Sequence, residues 1–127
     1  MRRVVVDMQN TLFADAIAAA LRSFDPDFDV LQSESPEKTV DLCEYSNANI
    51  LIMEVTSYEP WSLEVRMNIR NRLKSSHPQC RIALVVDEKA EKALADRIRL
   101  EKKDGLIDCF IYSSVSSTYL AAVIDTL

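Results

Sequence analysis

Two acids stand at the ends of the most strand-like runs of this sequence. Asp7 closes Val4-Val5-Val6, and Glu54 closes Ile50-Leu51-Ile52-Met53. Carboxylates at the carboxyl ends of buried strands stand where α/β folds collect ligand chemistry. The plainer roles are a cap on the turn after Asp7 and a solvated strand end at Glu54. Other reactive chemistry is sparse. Cys43, Cys80 and Cys109 are isolated and odd in number, and no C-x-x-C pair occurs. Cys109 lies in an apolar run and reads as a small hydrophobe. His77, the only histidine, sits between Ser76 and Pro78 as a solvated loop residue. Neither a structural zinc site nor a Cys/His nucleophile finds local support.

The elements that must position the two acids alternate between strand and helix. After β-branched Val4–Val6, Phe13, Ile17, Leu21 and Phe24 recur at helical spacing, with Asn10 or Thr11 as N-cap and Pro26 as the stop. Phe28–Gln32 is a second strand. Ser35-Pro36 then supplies a cap and a first-turn proline for a helix carrying Val40 and Cys43. Ile50–Val55 is a third strand, apolar enough to be covered on both faces. Beyond a polar loop, Trp61, Val65, Ile69 and Leu73 share one helical stripe, and Arg66, Arg70 and Lys74 share another that reads as a solvated face. Tyr58 and Trp61, flanking Pro60, read as part core and part loop. Ile82–Val86 is a fourth strand, followed by a helix marked by Ala90, Leu94 and Ile98 that ends at Gly105 in the C′ position. Asp108–Tyr112 is a fifth strand. Ser116 or Ser117 caps a last helix with Leu120, Ile124 and Leu127 on one stripe.

Strands separated by helices require right-handed crossovers onto a parallel sheet covered on both faces. The expected fold is therefore an α/β class, three-layer α/β/α sandwich, with residues 1–127 forming one domain. Ligand chemistry in such folds collects outside the carboxyl ends of the strands, which selects Asp7, Glu54, Val86 and Ser113. Fifteen Lys and Arg against twenty Asp and Glu give a net charge of −5, so nucleic acid is not an expected partner. No apolar run approaches the roughly 20 residues of a membrane helix, and a cytoplasmic protein is expected.

At these same residues the chain resembles the receiver domain of bacterial two-component response regulators. The likeness spans the whole chain. It rests on the order of elements, on the acid at the end of Val4-Val5-Val6-Asp7, on Ala48-Asn49-Ile50-Leu51-Ile52-Met53-Glu54 in the third strand, and on Asp108-Cys109-Phe110-Ile111-Tyr112-Ser113-Ser114 in the fifth. The resemblance implies a CheY-like, flavodoxin-like sheet of order 2-1-3-4-5, with Asp7 and Glu54 on adjacent strands. It also implies roles that this chain lacks the residues to fill. The family's paired acids fall on Asp7-Met8, the phosphorylated aspartate on Glu54, the phosphoryl-reading Ser or Thr on Val86, and the lysine on Ser113. The switch aromatic falls on Phe110, without a hydroxyl, and the proline after that lysine falls on Ser114.

Phosphoryl transfer to a carboxylate depends on positioning and on cations that neutralise the transferring oxygens. The resemblance, with these departures, implies a pseudo-receiver, not an enzyme. It would act in signalling or transcriptional control as a phosphorylation-independent interaction module, with no cofactor or at most weakly held Mg²⁺ at Asp7 and Glu54. A homodimer or a partner signalling protein is expected. The family's dimer or output face would carry Asp96, Arg97, Arg99, Lys102 and Tyr119 here, a mix of signs suited to isologous pairing. Two alternatives are a receiver still phosphorylated on an acid of the pocket and an unrelated flavodoxin-like ligand-binding domain. Against the latter, the chain has one glycine and no Gly-rich phosphate loop after its first strand. The apolar stripe running to Leu127 suits both a longer regulator and a free-standing adaptor.

Overall fold

Each apolar run forms a strand and each amphipathic stretch a helix in the computed structural model, which describes Met1–Leu127. The elements are β1 (Arg2–Asp7), α1 (Thr11–Phe24), β2 (Phe28–Gln32), α2 (Thr39–Ser46), β3 (Ile50–Val55), α3 (Leu63–Ser76), β4 (Arg81–Val86), α4 (Lys92–Lys103), β5 (Cys109–Tyr112) and α5 (Ser117–Asp125). The five strands are parallel in the order β2-β1-β3-β4-β5, so the winding direction reverses between β1 and β3. This is the expected sheet.

Successive strand residues point to opposite faces, and this period sorts the core into two halves. Val4, Val6, Ile50, Ile52, Ala83, Val85, Cys109 and Ile111 pack with α1 and α5. Val5, Leu51, Met53, Val55, Ile82, Leu84 and Val86 pack with α2, α3 and α4. Both faces of the central strands are buried, which explains their unbroken apolar runs.

Local signals set most boundaries. Asn10 Oδ1 accepts the Phe13 N–H at 3.0 Å and starts α1; Ser116 Oγ accepts the Tyr119 N–H at 3.1 Å and starts α5. Gly105, at φ +77°, ends α4: its N–H bonds to Lys102 O and the Leu106 N–H to Glu101 O, satisfying two terminal carbonyls. Four expectations shift. Ser35-Pro36 opens a short 3₁₀ turn (Pro36–Lys38), and α2 begins only at Thr39. Ser62 caps α3, so Trp61 stays in the loop; its buried face is Leu63, Arg66, Ile69 and Leu73. Ala90 lies exposed before α4, whose buried residues are Ala95 and Ile98. Asp108 precedes β5 and accepts the Ile82 N–H at 2.8 Å, acting as a side-chain rung between strands. No helix is long and apolar enough to cross a membrane.

Candidate functional site

Pleat parity decides where the two acids go. Asp7 is in register with Met53, so it shares the face of Val5 and Met53, toward α2 and α3; Glu54, one residue on, points to the α1 face. The strands are adjacent, as expected, but the carboxylates diverge across the sheet.

Asp7 is 1% exposed and fully engaged. Arg66 on α3, itself 0% exposed, places Nη1 2.6 Å from Asp7 Oδ2 and Nη2 3.3 Å from Oδ1. The same guanidinium donates from Nη2 to the Asp7 carbonyl at 3.1 Å and from Nε to the Glu54 carbonyl at 2.8 Å. One side chain thus spans the carboxyl ends of β1 and β3. From α2, Thr39 donates its hydroxyl to Asp7 Oδ2 at 2.6 Å, and Ser33 Oγ lies 2.8 Å from Thr39 Oγ1. A buried charge is tolerated only when paired and hydrogen-bonded, and this network meets both demands. The solvated basic stripe expected on α3 is therefore corrected. Arg66 is buried, Arg70 donates to Leu106 O at 2.8 Å, and Lys74 donates to Cys80 O at 3.0 Å.

Glu54 is half-buried, and its Oε1 accepts the backbone N–H groups of Gln9 at 2.8 Å and Asn10 at 3.1 Å. It is the cap of the turn between β1 and α1. The capping duty envisaged for Asp7 falls to Glu54, and neither acid is the solvated strand end envisaged for Glu54. Met8 is buried against the α1 face, and Val86 is fully buried at the end of β4. Ser113 is half-buried and its N–H bonds to Val86 O at 2.9 Å. Ser114 donates its hydroxyl to Glu88, tying the loop after β5 to the loop after β4. Beside Asp7, a polar cleft of about 420 Å³ is lined by Met8, Gln9, Gln32, Glu34, Pro60 and Trp61. Trp61 is half-buried, while Tyr58 is 67% exposed. No group of three His, Cys, Asp or Glu side chains comes together.

The residues expected on the dimer or output face are all exposed. Asp96 and Arg99 pair at 2.5 Å within α4, and Arg99 Nε donates to the Tyr112 hydroxyl at 2.8 Å. That hydrogen bond first, and the nearby carboxylate of Asp96 as a smaller cause, hold the Arg99 guanidinium above its ordinary value. Phe110 and Tyr112 stack obliquely at 5.7 Å. Between β5 and α5 runs a mostly apolar groove of about 280 Å³, lined by Phe110, Ile111, Tyr112, Val115, Tyr119 and Val123. Lys102 sits on the last turn of α4, whereas Arg97 turns to a different cleft, shared with Glu59, Glu64 and Glu91.

Arg66 and Thr39 escaped the sequence reading. The signal for Arg66 was present: it stands in step with Leu63, Ile69 and Leu73, the lone cation on an otherwise apolar stripe. Nothing local marks Thr39, because its partner lies on a distant strand. His77 also differs from expectation, being half-buried with Nε2 2.8 Å from Ala48 O.

Comparison with known proteins gives the fold its context. No family model and no curated protein matches the sequence. Among solved structures, a response regulator from Thermotoga maritima superposes with a TM-score of 0.76 at 13% identity, covering 99% of this chain and 96% of that one. A response regulator receiver domain protein from Clostridium thermocellum gives 0.77 at 15% identity, covering 99% and 93%. The chain has the receiver fold. An orphan response regulator of H. pylori aligns at 18% identity and a TM-score of 0.70, over 98% of this chain and 94% of that one. Identities this low speak for the receiver fold alone and not for the chemistry of its pocket.

Proposed function

We propose that this chain is a signalling module that uses the receiver fold for protein association and does not run a phosphorylation cycle. The observation that carries this reading is the guanidinium of Arg66 on Asp7. A receiver's Mg²⁺ would need free carboxylate oxygens converging on one point. Here Asp7 Oδ1 and Oδ2 are bonded to Arg66, with Thr39 also on Oδ2, and Glu54 Oε1 is bonded to two amides. Met8 offers only a thioether. The donor set does not fit Mg²⁺, a hard cation that takes oxygen ligands in octahedral geometry. Arg66 instead supplies a permanent internal positive charge that joins β1 to β3. Val86 has no hydroxyl to read a phosphoryl group and Ser113 has no charge to neutralise one. The module is accordingly no enzyme, and it needs no cofactor.

Association is assigned to the apolar groove between β5 and α5, flanked by the Asp96–Arg99 pair, Lys102 and Tyr119. Mixed charge around an apolar centre suits an isologous contact with a second copy. A role in transcriptional control accords with the fold's occurrence in a DNA-binding response regulator of the LuxR family from Staphylococcus aureus, matched at 13% identity and a TM-score of 0.74. The test is intact mass after incubation with Mg²⁺ and an acyl phosphate, with Glu54→Asp alongside. Unchanged mass is expected for the natural chain. Gain of one phosphoryl group per chain would overturn the proposal and restore a working phosphoreceiver.

A further inference from the structure

The largest groove on the molecule, about 690 Å³, lies between α1 and α5 and is lined by Ala16, Ala19, Ala20, Ser23, Ser117 and Ala121, with Phe24 at one end. No charged side chain enters it. Small residues alone permit only a close approach. The exposed face of α1 carries a second pattern that fits one occupant. Leu12, Ala16, Ala19 and Ser23 follow one another at four- and three-residue spacing on its solvent side. Leu12 is 79% exposed at the start of the helix, and Phe24 is 43% exposed at its finish. Along one flank stand Asp15 and Arg22, two turns apart. Neither is in an ion pair within the chain. Asp15 Oδ1 accepts from Gln32 Nε2 at 2.8 Å, and Arg22 Nη2 donates to Val30 O at 3.1 Å, both uncharged partners.

This face is complementary to its own reverse. Counted from a midpoint at Ala18 and Ala19, Asp15 stands as far out as Arg22, and Leu12 about as far out as Phe24. We propose that α1 pairs antiparallel with α1 of a second copy, seated along the groove beside α5. A two-fold axis through the midpoint reverses the helix direction and keeps each flank on its own side, so residue i of one copy meets j of the other and j meets i. Asp15 of each copy then faces Arg22 of the other, and Leu12 of each packs toward Phe24 of the other. The charges fix direction and register more than they add affinity. The contact is independent of the groove between β5 and α5: Ser117 and Ala121 turn toward α1, whereas Tyr119 and Val123 line that other groove. With alanines and no aromatic ring at its centre, it is the weaker of the two and joins pairs formed there into a tetramer.

The test first removes the other contact, with Tyr119→Glu in every chain. The native thiols are all buried, so an introduced cysteine is the accessible one. In this background Ala19→Cys, at the midpoint, should give a covalent dimer under mild oxidation with copper phenanthroline. Ser23→Cys, on the same stripe, should not, because antiparallel pairing holds its two copies roughly 14 Å apart along the axis, beyond the reach of a disulfide. Asp15→Arg should slow the Ala19→Cys cross-link at least about tenfold by setting like charges against Arg22, and adding Arg22→Asp should restore it. Urea unfolding of each variant verifies that the fold is intact. Absence of a covalent dimer from Ala19→Cys overturns the contact, as do equal cross-linking of Ala19→Cys and Ser23→Cys or indifference to the charge exchange. Because Tyr119→Glu is present throughout, a failure of the groove between β5 and α5 as an interface leaves each of these outcomes unchanged.

Discussion

The guanidinium of Arg66 reaches Asp7 through both carboxylate oxygens, at 2.6 Å and 3.3 Å, with neither side chain more than 2% exposed. The pair is not merely electrostatic. Arg66 also satisfies the carbonyls of Asp7 and Glu54, so removing it orphans two strand ends at once. Arg66→Met should therefore cost about 3–5 kcal/mol in urea unfolding, the range for a buried ion pair left with one partner. Arg66→Lys should recover only part of this, because an ammonium cannot reproduce the planar fork. In a cycle with Asp7→Ala, the double variant should be clearly more stable than the sum of the two losses implies. Additive losses would show that the two side chains act independently.

Glu54 has a different job, and its variants should separate that job from charge. Glu54→Gln keeps an amide oxygen for the Gln9 and Asn10 N–H groups and should change stability little. Glu54→Ala leaves both donors without their partner and should cost about 1–2 kcal/mol, comparable to losing a helix cap. Glu54→Asp, a methylene shorter, should fall between them. Equal losses for Gln and Ala, read by urea unfolding, would mean that the carboxylate charge matters more than the cap.

How far the sequence reached differs between scaffold and pocket. The alternation of strand and helix, the caps (Asn10 and Ser116 of the pairs offered) and the Gly105 stop follow from local residue types whose preferences agree with the global packing, while the strand order came from the resemblance to receivers; all are present. Parity was not readable: the apolar runs before Asp7 and Glu54 are buried on both faces, so the face each acid takes follows only from the register that sets Asp7 opposite Met53. The Asp7–Arg66 bond was not readable either. It joins residues on β1 and α3, and their meeting depends on how α3 lies on the sheet, which no local pattern specifies. Helical periodicity could flag Arg66 as misplaced on an apolar stripe but could not name its partner.

Cys109 gives the chain an alkaline sensitivity. Burial, as the largest influence, pushes its thiol above the ordinary value of 9.0, despite the opposing charge of Lys102. The folded state thus disfavours the thiolate that the unfolded chain readily forms. Stability from this group is fully present below the unfolded value and is lost as pH rises from about 9 toward the raised folded value. Thermal unfolding between pH 8 and 10.5 should show a steeper decline for the natural chain than for Cys109→Ala. Parallel curves would mean that Cys109 ionises equally in both states.

If the chain pairs through the groove between β5 and α5, as proposed, a change at Tyr119 should weaken that pairing. Tyr119 is 57% exposed and lines this groove with Phe110, Val115 and Val123, so its ring is available to a partner without supporting the core. Tyr119→Glu puts a carboxylate where an isologous contact would exclude water, and the two-fold axis would bring the two introduced charges into the same interface. The dimer dissociation constant should weaken at least about tenfold, corresponding to ~1.4 kcal/mol, while urea unfolding of the monomer stays nearly unchanged. Tyr45→Glu is the matched control, because Tyr45 is 91% exposed on α2, on the far side of the sheet order from β5. Sedimentation equilibrium across a concentration series reads both. If Tyr45→Glu dissociates the dimer and Tyr119→Glu does not, the interface lies on α2 and the β5–α5 assignment fails.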